Sequence, residues 1–178
     1  MQILIIILAA IAGVVALIFI IASFSSSNFQ IVAQLPIKRN RADIYNYVKF
    51  LRNSDYFNKW VMMDPGMEKK YTGTDATVGF TYKWKSENKQ LGEGEQEIIG
   101  MEENSYISYV IRFIKPFENT SQSTILLTDL EPGTTMVSYT FTGQRNLMMK
   151  VVHLLFKLEK ALQKDLMESL NNLKKVLE

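Results

Sequence analysis

The chain has 178 residues, 47% of them hydrophobic, with 20 Lys plus Arg against 18 Asp plus Glu. Its net charge of +2, with no basic run interleaved with aromatics, argues against a nucleic-acid partner. The absence of cysteine and a single histidine, His153, exclude the usual zinc sites and any Cys–His or multi-histidine arrangement, so no metal or cofactor is expected and no catalytic residue is singled out.

Residues 3–22 form an unbroken apolar run without charge or proline. At about 1.5 Å rise per residue, roughly 20 such residues match the roughly 30 Å hydrocarbon core of a bilayer, so residues 1–22 are expected to form a transmembrane anchor. A cleaved secretory signal wants a basic leader and an apolar core of about 7–15 residues. Only Met1 and Gln2 precede this run, and it is too long, although the small residues after it leave a cleavage site open. Lys38, Arg39 and Arg41 lie within about 20 residues of the span, which favours the cytoplasmic side for the rest of the chain. Residues 23–28 read as a short polar linker, and residues 29–178 as one domain of ordinary size.

In that domain a first strand, 29–35, is stopped by Pro36. Asn40 is placed to cap a helix over 41–50, where Ile44, Tyr45 and Val48 share one face. A second helical turn over 54–60 is closed by Asp64-Pro65-Gly66. From 67 to 143 the period becomes two, predicting strands at 67–73, 77–85, 91–101, 106–115, 121–130 and 134–142. Turn residues such as Glu103-Asn104 and Glu131-Pro132-Gly133 separate them, as in an antiparallel meander. Residues 146–178 read as helix, with Leu158, Leu162, Leu166, Leu170, Leu173 and Leu177 in one stripe that suits a cover for the apolar face of the sheet.

The hairpin at 77–101 is the most informative local pattern. Phe80, Tyr82 and Trp84 share one face, and Lys83 and Lys85 the other. On the returning strand Gly92, Gly94, Gln96 and Ile98 alternate with Glu93, Glu95 and Glu97. Lysines opposite glutamates describe a solvated face rather than paired catalytic carboxylates. The two glycines then fall on the aromatic side, where they either leave room for a ligand beside Tyr82 and Trp84 or accommodate the rings themselves. With Tyr109, Phe113, Tyr139, Phe141 and Trp60 from other elements, these rings make either an ordinary core or the wall of an apolar cavity. The candidate ligand contacts are Trp60, Phe80, Tyr82, Trp84, Tyr109, Phe113, Tyr139 and Phe141. Residues 147–158 are apolar around most of a helix, with Lys150, His153 and Lys157 as a narrow basic stripe. Such a helix is buried all round or lies at a membrane interface, and Met148, Val152 and Phe156 are the candidate contacts with bilayer or partner.

The strand ending in Leu35-Pro36, the segment Asn40-Arg41-Ala42-Asp43-Ile44-Tyr45-Asn46-Tyr47-Val48, the turn Tyr56-Phe57-Asn58-Lys59-Trp60, then Thr77-Val78-Gly79-Phe80, Gly92-Glu93-Gly94 and the closing helix together resemble the START-like (SRPBCC, helix-grip) superfamily, in its polyketide cyclase/dehydrase-like branch. The resemblance implies an α+β fold, with a seven-stranded antiparallel sheet wrapped on a long C-terminal helix and two short helices after the first strand. It also implies a hydrophobic cavity. Members bind lipids, sterols or polyketides, activate chaperone ATPases or catalyse cyclisation, with no universal catalytic residue to carry over. Joined to an anchor, this gives a membrane-anchored module for an apolar small molecule, lipid or polyketide/isoprenoid-like. The alternatives are a cyclase or dehydratase and an accessory subunit of a membrane-protein complex with its cavity collapsed.

Overall fold

A computed structural model describes the chain from Met1 to Glu178. The elements in order are α1 (Gln2–Ser23), β1 (Asn28–Ile37), α2 (Arg41–Val48), a 3-10 turn (Leu51–Tyr56), α3 (Lys59–Met62), β2 (Glu68–Thr72), β3 (Thr81–Lys85), β4 (Glu93–Glu102), β5 (Tyr106–Lys115), β6 (Asn119–Glu131), β7 (Thr134–Gln144), α4 (Leu147–Phe156) and α5 (Leu158–Leu177). All seven strands pair antiparallel in one sheet, ordered β1-β7-β6-β5-β4-β3-β2. Short turns keep β2 to β7 adjacent in sequence order, and β1 returns to pair with β7 from Asn28↔Gln144 to Ile37↔Thr135. Strand β3 begins four residues later than its alternation suggests, because Gly79 (φ 89°) and the Thr77–Phe80 backbone hydrogen bond hold the preceding segment in a turn.

Helix α5 lies across β1 and β7 and packs against α3. Leu166, Leu170 and Leu173 are at most 1% exposed, each contributing about 1.5–3 kcal/mol by burial. Inward residues of the sheet meet them, including Ile31, Ala33, Ile107, Ile125 and Val137. Asn40 occupies the N-cap of α2, but its side chain makes no capping bond; its carbonyl accepts from Asp43 and Ile44 instead. The capping side chains belong to Asn58, which accepts from the N–H groups of Trp60 and Val61, and to Asn146, which accepts from Met149.

The stretch expected as one helix is two. Lys157 adopts a left-handed conformation (φ 51°, ψ 40°) that ends α4 and starts α5. For a side-chain-bearing residue this costs about 1–2 kcal/mol. It turns α4 toward α1, where Ala22 is buried and Ile18 and Phe19 are half-buried. Between α1 and β1 the backbone is held by Arg145: its Nε donates to the Ser26 carbonyl (2.9 Å) and its N–H to that of Ser27 (2.8 Å). Arg145 also donates to Glu159 Oε1 (2.5 Å) and to His153 Nδ1 (3.1 Å). His153, expected on a polar helix stripe, is instead buried, its ring 5.0 Å from that of Phe29. Because a guanidinium only donates, Nδ1 must accept and the imidazole is neutral. Burial first, then Arg145, lowers its pKa below the ordinary histidine value.

Register puts Asn28, Gln144, Asn119, Lys115, Glu93 and Lys85 at one end of the sheet, the end from which α1 leaves. Lys38, Arg39 and Arg41 lie at the other end, about 30 Å along β1. There Arg39 donates to the Leu177 carbonyl and Arg41 pairs with Asp129, so the cluster has a role within the fold.

Candidate functional site

Between the concave face of the sheet, α3 and the first turns of α5 lies a cavity of about 210 Å³. Eleven of its fourteen lining residues are hydrophobic, so its interior offers mainly apolar contact. Six of the eight candidate rings reach it: Trp60, Tyr82, Trp84, Phe113, Tyr139 and Phe141. They share the lining with Val61, Met67, Leu91, Ile111 and Leu162, and with exposed Gln90 at the rim. Phe80 does not reach it; it is 1% exposed and stacks on Tyr71 at 6.0 Å. Tyr109 lies deeper, its hydroxyl donating to the Val48 carbonyl (3.4 Å), and borders only a void of about 10 Å³. Strand alternation identifies the face a ring shares but not how far along the groove it sits, hence these two differences.

Local chemistry fixes the wall. Trp84 Nε1 donates to the Leu91 carbonyl (3.1 Å), and its ring lies 5.6 Å from Tyr82 and 6.1 Å, edge-on, from Phe113. Gly94 stands opposite Trp84 in the β3–β4 register. A Cβ there would fall 2.4 Å from Trp84 Cζ2 and 2.7 Å from the Arg112 carbonyl oxygen. Gly94 therefore makes room for the indole rather than for a ligand. Gly92 is similar: with φ 56°, its Cβ would meet the Lys115 carbonyl oxygen at 2.1 Å. Lys83 pairs with Glu95 (3.2 Å), Arg112 with Glu95 and Glu97 (2.9 and 2.8 Å), and Lys115 with Glu93 (2.9 Å), all on the outer face. Burial acts to raise the Glu95 carboxyl, but Lys83 and Arg112 outweigh it and hold it below the usual carboxylate range.

The polar groups of the cavity are neutral. Asn58 Oδ1 caps α3, which aims Nδ2 at the Tyr139 hydroxyl (3.3 Å). Gln96 projects from β4 on the inward phase and is 8% exposed. Burial pushes the Tyr139 phenol up to about 12 and raises that of Tyr82 further, so both stay protonated near neutrality. The lining contains no carboxylate, lysine, arginine or histidine. The expected wall did not include Asn58 or Gln96. The Gly92-Gly94-Gln96-Ile98 alternation already marked Gln96 as a polar residue on an inward face, whereas Asn58 entered only as part of the Tyr56–Trp60 turn.

The candidate interface residues differ in exposure. Met148 and Phe156 are 60% and 74% exposed, whereas Val152 is half-buried beside buried Val151. Phe24 in the linker and Phe117 in the β5–β6 loop, both at the α1 end, are also strongly exposed.

No protein-family model matches this sequence, and no curated protein matches it. Solved structures do resemble it. Protein MLL2253 of Mesorhizobium loti aligns with a TM-score of 0.61 at 15% identity, over 84% of this chain and 96% of that one. The Aha1 protein of Colwellia psychrerythraea aligns at 0.58 and 16%, over 84% and 96%. Major latex-like protein 151 of Panax ginseng aligns at 0.55 and 8%, over 86% and 99%. At such identities the likeness is one of fold. Behind one long apolar helix, this chain has the helix-grip fold of the START-like, or SRPBCC, proteins.

Proposed function

We propose that the chain is a membrane-anchored module that binds an apolar small molecule between sheet and α5. The observation that carries this is the cavity itself. Its volume of about 210 Å³ exceeds the roughly 150 Å³ in which an apolar cavity takes up benzene, and its lining is mostly hydrophobic. Trp60, Tyr82, Trp84, Phe113, Tyr139 and Phe141 are the proposed contacts, and Trp84, Phe113 and Phe141 lie in the half of the sheet nearer α1. The neutral lining favours binding over a cyclase or dehydratase, either of which needs a positioned acid or base.

Helix α1 is the proposed anchor: it has 22 residues and no charge, and its apolar side chains are exposed. Four residues, 24–27, span at most about 14 Å, so the domain stays at the surface through which α1 emerges. We place it on the cytoplasmic side from the basic residues C-terminal to the span. Helix α4 packs on α1 and carries lysine but no acidic residue, which suits the headgroup layer, with Met148 and Phe156 facing lipid.

The test is native mass spectrometry of the full chain extracted from membranes in mild detergent. A retained apolar molecule, displaced when Leu162→Trp fills the cavity, is expected. A chain that carries none and takes up none from a lipid extract overturns the binding reading. The same spectra report the anchor, because a mass lacking the first 22–28 residues would mark cleavage instead.

A further inference from the structure

The polar groups in the cavity wall restrict the chemistry of what can occupy it. Asn58 is engaged at both ends of its carboxamide, its oxygen by the N-terminus of α3 and its nitrogen by Tyr139. Gln96 is not. It stands between Tyr82 and Ile111 in the sheet register and is 92% buried as a residue, and its carboxamide makes no hydrogen bond within the protein. Unlike the sealed, unpaired hydroxyls of Ser121 and Ser123, it is open to a water-sized molecule from the cavity. An occupant that displaces water from this amide without replacing its hydrogen bond would leave it unpaired at about 1–3 kcal/mol, so an occupant with a polar oxygen there is favoured over a plain hydrocarbon. A carboxylate or phosphate would lose its hydration there without meeting any cation.

We propose that the cavity selects a neutral apolar molecule bearing a hydroxyl or carbonyl oxygen, which hydrogen-bonds to the Gln96 carboxamide. This rests on the binding reading above and adds the class of ligand. One competing use of the same amide is visible. The 10 Å³ void behind Asn58, Gln96 and Tyr139 is about the size of one water, which Gln96 would serve as structural support.

The two tryptophans of the chain, Trp60 and Trp84, both line the cavity, so intrinsic fluorescence reports its occupancy. Full chain in phosphatidylcholine vesicles at pH 7.5 is titrated with 4-phenyl-1-butanol, 4-phenylbutanoate and n-butylbenzene. Saturable binding of the alcohol is expected, with the carboxylate about 100-fold weaker or worse. Gln96→Met should weaken the alcohol about tenfold and leave butylbenzene within about twofold. Equal affinity for alcohol and carboxylate overturns the proposal. So does a Gln96→Met chain that loses alcohol and hydrocarbon alike, the signature of a structural amide. Should Gln96→Met fail to fold, the alcohol-to-carboxylate ratio in the unaltered chain decides alone. If no probe gives a saturable response, the binding reading falls with the proposal, which separates the two failures.

Discussion

Replacing Gly94 with alanine probes the cavity wall at its tightest point. The added methyl would lie 2.4 and 2.5 Å from two Trp84 ring atoms and 2.7 Å from the Arg112 carbonyl oxygen. Carbon atoms in contact rest at about 3.5–4.0 Å, so the indole must retreat by roughly 1 Å or more. It is held by its bond to Leu91 and by Phe113, and the Arg112 carbonyl is fixed in the β4–β5 pairing. Overpacking of this kind costs about 1–3 kcal/mol, and losing the indole hydrogen bond about 1 kcal/mol more. Against this, glycine-to-alanine stiffening of the unfolded chain returns about 0.4–1 kcal/mol. The net expectation is about 1–3.5 kcal/mol of destabilisation, or a Tm lower by roughly 2–14 °C for a domain of this size. Thermal unfolding of the full chain in dodecyl maltoside, followed by tryptophan emission, measures it. If Gly94 instead bordered open space, alanine would be neutral or stabilising, and that result would refute the steric reasoning.

Two further outcomes are expected at the α1 end of the molecule. His153 is neutral in the fold, facing Arg145, Glu159 and the Phe29 ring, and its pKa is depressed; the unfolded chain therefore binds more protons in the acid range. Its contribution to stability is present above about pH 6.5 and is lost as pH falls below that value toward its folded pKa. Urea unfolding between pH 7.5 and 5 should show this loss, and His153→Gln should flatten it; an unchanged slope in the variant contradicts the assignment. The chain lacks cysteine, so single-cysteine probes are clean. Bimane at Phe156→Cys in vesicles should be quenched by lipid spin-labelled near the headgroup, while bimane at Glu103→Cys, in the β4–β5 turn at the far end of the sheet, should not; equal quenching at both sites removes α4 from the interface.

Much of the fold was legible because its determinants are periodic. The strand over 106–115 becomes β5 with the same bounds, its Ile107 and Tyr109 buried on the expected face, and the leucine stripe becomes the buried face of α5. Of the expected Lys–Glu pairs between β3 and β4, Lys83 meets Glu95, whereas Glu97 and Glu93 pair with Arg112 and Lys115 of β5. What escaped depends on three-dimensional circumstance. Lys157 breaks a helix with no glycine, proline or asparagine to announce it, because what the break permits is tertiary: α4 against α1 and Glu159 against Arg145. Phe80 is expected to share a face with Tyr82 and Trp84, but it lies in the turn just before β3, where Tyr71 and the core close over it. Asn40 and Asn58 have equal capping propensity, and only the fold determines that Asn58 caps with its side chain while also reaching Tyr139.

Whether an apolar molecule occupies the space between sheet and α5 is tested most directly by photo-crosslinking. The full chain in vesicles is irradiated with a diazirine-bearing phenylalkanol, and the adducts are mapped by peptide mass spectrometry. Adducts on Trp60, Trp84, Phe113 and Leu162, diminished by excess 4-phenyl-1-butanol, are predicted. Adducts confined to α1 and α4 and indifferent to the competitor would contradict a ligand-binding cavity.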